Sequence, residues 1–186
     1  MSDPASANRH PILVIMGVAG CGKSTIGSTL ATRLGWPYQE GDDFHPPANV
    51  AKMRAGKPLD DADRQPWLAA IAGWMDAQMH SRQPAVIGCS ALKRAYRDLL
   101  RAGHPQVWFV YLRVPRETLQ HRVSARQHEY MPASLLDSQL ATLEEPARDE
   151  PRCITLDAIG NVELTVEAAL HALAAHGILP RGKETR

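Results

Sequence analysis

The sequence has 186 residues, of which 44% are hydrophobic and 22% charged, the composition of a globular domain with one sizeable core. Its formal net charge of +1 lacks the basic excess of nucleic-acid-binding proteins, so we expect no nucleic-acid partner. We also expect a cytoplasmic protein with no membrane partner, because the N-terminus is polar and no apolar stretch approaches the roughly 20 residues of a membrane span.

Five short apolar runs predict β-strands, and several of them are continuous, as is typical of parallel strands buried on both faces. In chain order the predicted strands cover residues 12–16, 38–40, 85–89, 107–112 and 153–156. The predicted helices between and after them cover residues 23–34, 66–79, 93–101, 115–126, 134–142 and 162–175. In helix 66–79 the apolar side chains share one face, so we interpret Trp67 as a core residue. This alternation favours one α/β domain over residues 1–186, with helices on both faces of the sheet.

The first predicted strand ends in a glycine-rich loop that opens directly into a helix. The loop reads GVAGCGKS from Gly17 to Ser24 and matches G-x-x-x-x-G-K-[ST] at every fixed position. Glycines let the main chain bring a row of N–H groups close to phosphate oxygens, and the helix N-terminus adds more. We therefore predict a nucleoside-triphosphate site with Mg²⁺ on the Ser24 hydroxyl and Lys23 at the β- and γ-phosphates. The predicted nucleotide-binding residues of this loop are Gly17, Gly20, Cys21, Gly22, Lys23, Ser24 and Thr25.

An acidic turn, EGDDFHP, follows the second predicted strand. The third and fourth strands are not followed by a carboxylate, so Glu40, Asp42 and Asp43 are the acids best placed to approach the γ-phosphate. A carboxylate there could accept a proton from an attacking hydroxyl or orient a metal-bound water. The same residue types also suit a solvent-exposed turn, and the chemistry alone does not decide between the two.

Basic side chains occur on the predicted helix 115–126, where Arg122 and Arg126 flank an apolar stripe formed by Leu119 and Val123. Such arginines could stabilise a transferring phosphoryl group, or they could lie on an ordinary helix surface. Residues 127–132, which follow, have the character of a flap that would exclude water from the reaction.

A second basic cluster follows the third strand and begins at Lys93. Together with Arg54 and Arg64 it could form a positive pocket for an anionic acceptor, and His45 could either hydrogen-bond hydroxyl groups or lie on the surface. The cluster after the third strand consists of Lys93, Arg94 and Arg97. The histidines have no metal-ligand spacing, and the three widely separated cysteines predict reduced thiols.

Several segments together resemble the bacterial gluconate kinases of the shikimate- and adenylate-kinase-like branch of P-loop kinases. They are GVAGCGKST, GDDFHP, NVAKMRAGKPLDDADRQPWL, CSALKRAYRDLLR and MPASLLDSQLATLEEP, and the resemblance runs over residues 12–175. It implies ATP-dependent phosphorylation of D-gluconate at its 6-hydroxyl. It also implies a five-stranded parallel sheet in the order 2-3-1-4-5, a substrate-binding segment near residues 42–66, a lid near residues 122–140, and a possible homodimer.

The resemblance also implies roles for individual residues. Asp42 resembles the substrate-binding aspartate and base, and Glu40 resembles an acid that supports the metal. Arg122 resembles an arginine that stacks on adenine, and Arg126 resembles a lid arginine that contacts phosphates. Residues implied to hold gluconate are His45, Arg64 and Lys93. The sequence departs from many relatives at Glu129 and Tyr130, where they have His-Phe, which bears on the contacts of the lid.

Two other classes of P-loop protein remain as alternatives. A regulatory GTPase would need an Asn-Lys-x-Asp motif, which the sequence lacks, and its only D-x-x-G candidate, Asp157 to Gly160, follows the last strand. A shikimate kinase is the nearest enzyme competitor. It is disfavoured because Cys89-Ser90-Ala91 replaces the glycine-rich loop that this family carries after the third strand.

Overall fold

The computed structural model describes residues 10–125 and 133–179. The strands in these ranges are β1 (Ile12–Met16), β2 (Tyr38–Glu40), β3 (Ala85–Gly88), β4 (Val107–Arg113) and β5 (Cys153–Asp157). The α-helices are α1 (Lys23–Leu34), α2 (Pro47–Arg54), α3 (Asp61–His80), α4 (Arg94–Arg101), α5 (Arg116–Ala125), α6 (Ala133–Thr142) and α7 (Val162–Ala175). A short 3₁₀ helix, Gly41–Phe44, connects β2 to the chain leading into α2.

The five strands form one parallel sheet in the order β2-β3-β1-β4-β5, which confirms the predicted topology. β1 is the central strand, and Ile12 pairs with Ala85 of β3 on one side and Val107 of β4 on the other. All five residues of β1 are fully buried, which explains why its sequence is an unbroken apolar run. Because the strands are parallel, the loops after β1, β2 and β3 meet at one edge of the sheet.

Helix α3 begins at Asp61, five residues before the predicted start at residue 66, and α2 was not predicted. The Asp60 side chain accepts a hydrogen bond from the Asp63 N–H, and the Asp63 side chain accepts one from the Asp60 N–H, each at 2.9 Å. This reciprocal capping box stabilises a start that precedes Pro66, so the proline lies inside the helix rather than at its first turn.

The acidic turn packs very closely against the end of β3. A Cβ atom on Gly41 would lie 2.2 Å from the carbonyl oxygen of Gly88. A Cβ atom on Gly88 would in turn lie 2.7 Å from the hydroxyl oxygen of Tyr38. The main chain of β3 therefore leaves room only for glycine at position 41, whereas a larger residue at position 88 would have to displace the Tyr38 and Glu40 side chains.

The sequence predicted reduced cysteines and no membrane-spanning segment. The three cysteines are free thiols, as predicted, with Cys21 and Cys89 buried. No helix within residues 10–125 or 133–179 has both the length and the apolar character needed to cross a membrane.

We predict that Gly41→Ala lowers the free energy of unfolding by about 1–3 kcal/mol, because the added methyl group must displace the Gly88 carbonyl. The matched control is Gly73→Ala in the interior of α3, where an added Cβ atom would meet no described residue outside its own helix within 4 Å. That change should stabilise the protein by about 0.5–1 kcal/mol. Chemical denaturation measures both, and equal stability of Gly41→Ala and the wild type would contradict the packing described here.

Candidate active site

The glycine-rich loop leaves the first turn of α1 open for a ligand. Gly22 is the N-cap of α1 and has a φ of 101°, a left-handed conformation that favours glycine. In the described part of the chain no side chain caps this helix, and its first turn contains no acidic residue. Its N–H groups and the positive end of its dipole are therefore available to an anion. Lys23 Nζ donates a hydrogen bond to the carbonyl oxygen of Val18 at 3.1 Å, which holds the ammonium group against the loop.

A cavity of about 470 Å³ lies between this loop, the acidic turn, α2, α3 and α6. It brings together most of the residues predicted to form the site. Those lining it are Gly20, Gly22, Lys23, Ser24, Thr25, Glu40, Asp42, His45 and Arg64. Glu40 and Arg64, which follow Ser24 by 16 and 40 positions, therefore line the same cavity as the glycine-rich loop. For the acidic turn the parallel topology predicted this arrangement.

Ser24 and Glu40 are joined by a short hydrogen bond across the base of the cavity. The Ser24 hydroxyl donates to Glu40 Oε2 at 2.6 Å, and the Tyr38 hydroxyl donates to the same oxygen at 2.9 Å. Burial and the neighbouring Glu40 carboxylate raise the pKa of Tyr38, so the phenol remains a donor at neutral pH. A hydroxyl and a carboxylate side by side are oxygen ligands of the kind that Mg²⁺ accepts, so this pair fits the predicted metal position.

Asp42 and His45 face each other at the edge of the cavity. The Asp42 side chain is 67% exposed, whereas the His45 side chain is 5% exposed, and their nearest oxygen and nitrogen atoms are 3.8 Å apart. The His45 ring stacks on Trp67, with ring centroids 4.5 Å apart and an angle of 10° between the planes. Burial, with a smaller contribution from the charge of Arg64, lowers the pKa of His45 to about 4. His45 is therefore a neutral side chain built into the wall of the cavity, not a surface residue.

Trp67 confirms its predicted place in the core and also supports the site. It is 1% exposed, and its indole N–H donates to the carbonyl oxygen of Gly41 at 2.8 Å. The same side chain thus holds the 3₁₀ helix that carries Asp42 and provides the surface on which His45 stacks. The sequence pattern predicted the burial of Trp67, but it gave no sign of these two contacts.

Arg64 supplies a positive charge to the cavity wall. The residue is 9% exposed, and its guanidinium carbon lies 5.7 Å from the centre of the Tyr96 ring. Its Nε atom is buried and has no hydrogen-bond partner among the described residues. Because this charged residue lines the cavity, Arg64 is suited to an anionic group there.

Two other predicted acceptor-binding residues do not line this cavity. Lys93 Nζ lies 2.7 and 2.9 Å from the two carboxylate oxygens of Asp61. It lines a neighbouring, more open cavity of about 560 Å³, which shares Pro58, Leu59 and Ser138 with the first. Arg54 is the last residue of α2 and is not among the described residues that line either cavity.

Arg97 corrects an expectation, because its side chain is not available to a substrate. It is fully buried and makes a bidentate ion pair with Glu150, at 2.6 and 2.8 Å. Its remaining terminal nitrogen donates to the carbonyl oxygens of Ala91 and Leu92, at 3.1 Å each. Arg97 therefore fixes the loop after β3 to the segment before β5, and its partner lies too far along the chain to be recognised from sequence spacing.

Arg122, unlike Arg126, is among the residues that the structure describes. The two terminal nitrogens of Arg122 donate to the carbonyl oxygens of Gly20 and Ala158, at 3.4 Å each, so Arg122 connects the glycine-rich loop to the loop after β5. Arg126 and the predicted flap at residues 127–132 lie outside the described residues. Of the predicted lid, the structure describes the end of α5 and helix α6.

Gln139 is a functional candidate that the sequence reasoning did not single out. Its side-chain oxygen accepts a hydrogen bond from the N–H of Ala19, in the glycine-rich loop, at 2.7 Å. The residue lines the main cavity from α6 together with Leu135 and Ser138. The signal that could have identified it is its place in MPASLLDSQLATLEEP, one of the segments on which the family resemblance depends.

The parallel sheet, the strand–loop–helix phosphate site and the facing carboxylates define a P-loop kinase. A family model described as shikimate kinase matches residues 19–168. A gluconokinase from Gluconobacter oxydans (strain 621H) is 54% identical over 139 residues, which cover 75% of this chain and 78% of that protein. The chain belongs to the gluconokinases, within the family that the shikimate kinase model describes.

Two solved structures agree with this assignment. The crystal structure of a gluconokinase from Sinorhizobium meliloti 1021 is 44% identical, has a TM-score of 0.81, and covers 90% of this chain and 94% of that chain. The unliganded crystal structure of a sugar kinase from Janibacter sp. HTCC2649 is 46% identical, has a TM-score of 0.84, and covers 92% and 99%.

The ion pair of Glu150 with Arg97 should make the stability of the fold depend on pH. Burial alone would raise the pKa of Glu150, but hydrogen bonds from Arg97 and Arg101 outweigh it and lower the pKa from 4.5 to about 2. The stabilisation is therefore fully present above about pH 4.5 and is lost as the pH falls towards 2. We expect Glu150→Gln to cost about 3–5 kcal/mol near neutral pH, because it leaves the fully buried Arg97 without its charge partner.

Denaturation at a series of pH values would measure this effect, and the difference between Glu150→Gln and the wild type should shrink as the solution is acidified. The matched control is Asp98→Asn, since Asp98 also pairs with Arg101, at 2.5 Å, but its side chain is 55% exposed. That variant should change stability by less than about 1 kcal/mol. A difference for Glu150→Gln that does not depend on pH would contradict the lowered pKa.

Proposed function

We propose that this protein transfers the γ-phosphoryl group of ATP to the 6-hydroxyl of D-gluconate, giving 6-phospho-D-gluconate and ADP in carbohydrate acid catabolism. The proposal is supported by one observation above all: Asp42, Arg64 and the glycine-rich loop line the same cavity. A base, a positive group for a carboxylate and a cradle for a triphosphate are the parts that this reaction needs. The gluconokinases among the relatives favour gluconate as the acceptor.

The nucleotide would be held mainly by the main chain. N–H groups of the glycine-rich loop and the first turn of α1 would bind the phosphates, and Lys23 would contact the β- and γ-phosphates. Ser24 and Glu40, which already share a 2.6 Å hydrogen bond, would hold Mg²⁺. When bound, Mg²⁺ supplies positive charge that offsets the negative charge of the phosphates during transfer. Arg122, whose side chain donates to the Gly20 carbonyl, would pack against the adenine ring.

Gluconate would occupy the part of the cavity between the acidic turn and α3. Arg64 would bind its carboxylate, and His45 would hydrogen-bond a hydroxyl group. Asp42 would accept the proton of the 6-hydroxyl. At the same time the hydroxyl oxygen would form a bond to the γ-phosphorus, and the bond from that phosphorus to ADP would break. Lys23 and Arg126 would stabilise the negative charge on the phosphoryl oxygens.

Closure over the cavity would complete the site. Asp42 is 67% exposed, so its carboxylate stands at the mouth of the cavity, where water could compete with the acceptor. The residues proposed to close over it are those of the lid near residues 122–140. Lys93 and Arg54 would contribute to acceptor binding in this closed state. A cytoplasmic location and a homodimer remain predictions.

Acceptor specificity tests the proposed reaction. A coupled assay of ADP release should show rapid turnover with gluconate and little with shikimate, AMP or hexoses. The assay includes shikimate because the matching family model bears that enzyme's name. Release of inorganic phosphate from GTP without any acceptor would instead support a nucleotide switch and would overturn the proposal.

Asp42→Asn should lower kcat by about 10²–10⁴-fold, because the amide cannot accept the hydroxyl proton, while ATP affinity stays nearly unchanged. Asp43→Asn is the matched control. Asp43 lines the same cavity, but its carboxylate accepts a hydrogen bond from Gln39 Nε2 at 3.3 Å. We expect this control to change kcat less than about threefold. A loss of less than tenfold for Asp42→Asn, about 1.4 kcal/mol, would show that Asp42 is not the base.

A further inference from the structure

Asn49 is a buried polar residue of α2 whose side chain has a defined orientation. It is 4% exposed, and its Nδ2 atom donates to the backbone carbonyl oxygen of Asp63 at 2.7 Å. A backbone carbonyl can only accept a hydrogen bond, so the amide nitrogen of Asn49, and not its oxygen, must face Asp63. The capping box at the start of α3 holds Asp63 in place, and so does the ion pair between its side chain and Lys52.

The same amide nitrogen also faces His45. Asn49 Nδ2 and His45 Nδ1 are 3.4 Å apart. An amide nitrogen carries two hydrogens and accepts none, and one of these hydrogens is already directed at Asp63. His45 Nδ1 must therefore act as an acceptor and carry no hydrogen. Since a neutral imidazole has one N–H group, the proton of neutral His45 lies on Nε2.

The other side of the ring faces the mouth of the cavity. His45 Nε2 lies 3.8 Å from Asp42 Oδ1, and stacking on Trp67 prevents the ring from turning freely. Arg64 is the charged group on the α3 side of the ring, and burial together with its charge lowers the pKa of His45 to about 4. The ring is therefore neutral at working pH, and the position of its single proton decides what it offers to a ligand.

We propose that Asn49 is a positioning residue that keeps the proton of His45 on Nε2. A hydroxyl group that contacts both His45 and Asp42 would then accept a hydrogen bond from Nε2–H and donate its own hydrogen to the Asp42 carboxylate. In the opposite tautomer the Nε2 lone pair would face that carboxylate, and the hydroxyl would find two acceptors and no donor. The catalytic consequence rests on the proposed function, but the assignment of the tautomer does not.

The tautomer can be measured directly by NMR on the full-length protein labelled with ¹⁵N-histidine. The chain has eight histidines, and the His45→Gln variant identifies the signals of His45 by their loss. Near neutral pH we expect His45 to be neutral, with its proton on Nε2 and an unprotonated Nδ1. A proton on Nδ1 in the wild type would overturn the assignment, whatever the protein phosphorylates.

Asn49→Asp reverses the hydrogen-bonding character at this position, because a carboxylate only accepts. At roughly pH 8, well above the ordinary histidine pKa of about 6.5, the proton of His45 should move to Nδ1. The matched control is Asn161→Asp at the N-cap of α7, where either side chain can accept the hydrogen bond from Leu164 N–H. A proton that stays on Nε2 in Asn49→Asp would show that Asn49 does not control the tautomer.

Steady-state kinetics test whether the tautomer matters for the reaction. Asn49→Asp should lower kcat/KM for gluconate by at least about tenfold while changing the KM for ATP less than about twofold. When the protein also carries His45→Gln, the same substitution should lower kcat/KM for gluconate less than about threefold. The glutamine amide can donate a hydrogen bond whatever residue stands at position 49. A tenfold loss from Asn49→Asp both with and without His45→Gln would indicate a merely structural role and would overturn the proposal. Unchanged kinetics in an Asn49→Asp protein whose His45 carries its proton on Nδ1 would overturn it as well.

Discussion

The hydrogen bond from Ser24 to Glu40 joins the two halves of the site, because it connects the first turn of α1 to the end of β2 across the intervening strand β3. The turn that follows Glu40 packs closely against β3, where a Cβ atom on Gly41 would lie 2.2 Å from the Gly88 carbonyl oxygen. The phosphate loop and the carboxylates are thus held together by the main chain of the sheet, whose parallel order places their loops on one edge. The rest of the cavity is arranged around this contact.

The charges of the cavity are arranged to suit a reaction between two anions. Lys23, Arg64 and the N-terminus of α1 supply positive charge, while Glu40 and Asp42 stand on the facing turn. His45 stays neutral between Asp42 and Arg64, so it adds a hydrogen-bonding group without adding charge. Gln139 accepts a hydrogen bond from the N–H of Ala19, so helix α6, which lies in the predicted lid, contacts the glycine-rich loop.

Local sequence patterns were sufficient for the elements that depend on local physics. The unbroken apolar run of β1 predicted a buried parallel strand, and the loop from Gly17 to Ser24 predicted the open helix N-terminus. The parallel order then explained why Asp42 would face that loop. The start of α3 was missed because the reciprocal cap between Asp60 and Asp63 outweighs the usual preference of proline for a first helical turn.

The roles that could not be predicted depend on partners distant in the chain. Arg97 was predicted to bind the acceptor, but its guanidinium is buried and paired with Glu150, 53 positions away in the chain. The resemblance implied that His45 holds gluconate, but nothing in the sequence indicates that its ring stacks on Trp67. Lys93 is paired with Asp61, 32 positions away. In each case burial or pairing, and not residue type, decides what the side chain can do.

Transfer of a phosphoryl group to the 6-hydroxyl of gluconate can be followed by phosphorus NMR of a reaction that contains the protein, ATP, Mg²⁺ and gluconate. We expect a phosphate monoester whose phosphorus couples to the two protons on carbon 6, formed in equal amount to ADP. Inorganic phosphate as the main product, or an ester at another carbon, would contradict the proposed transfer.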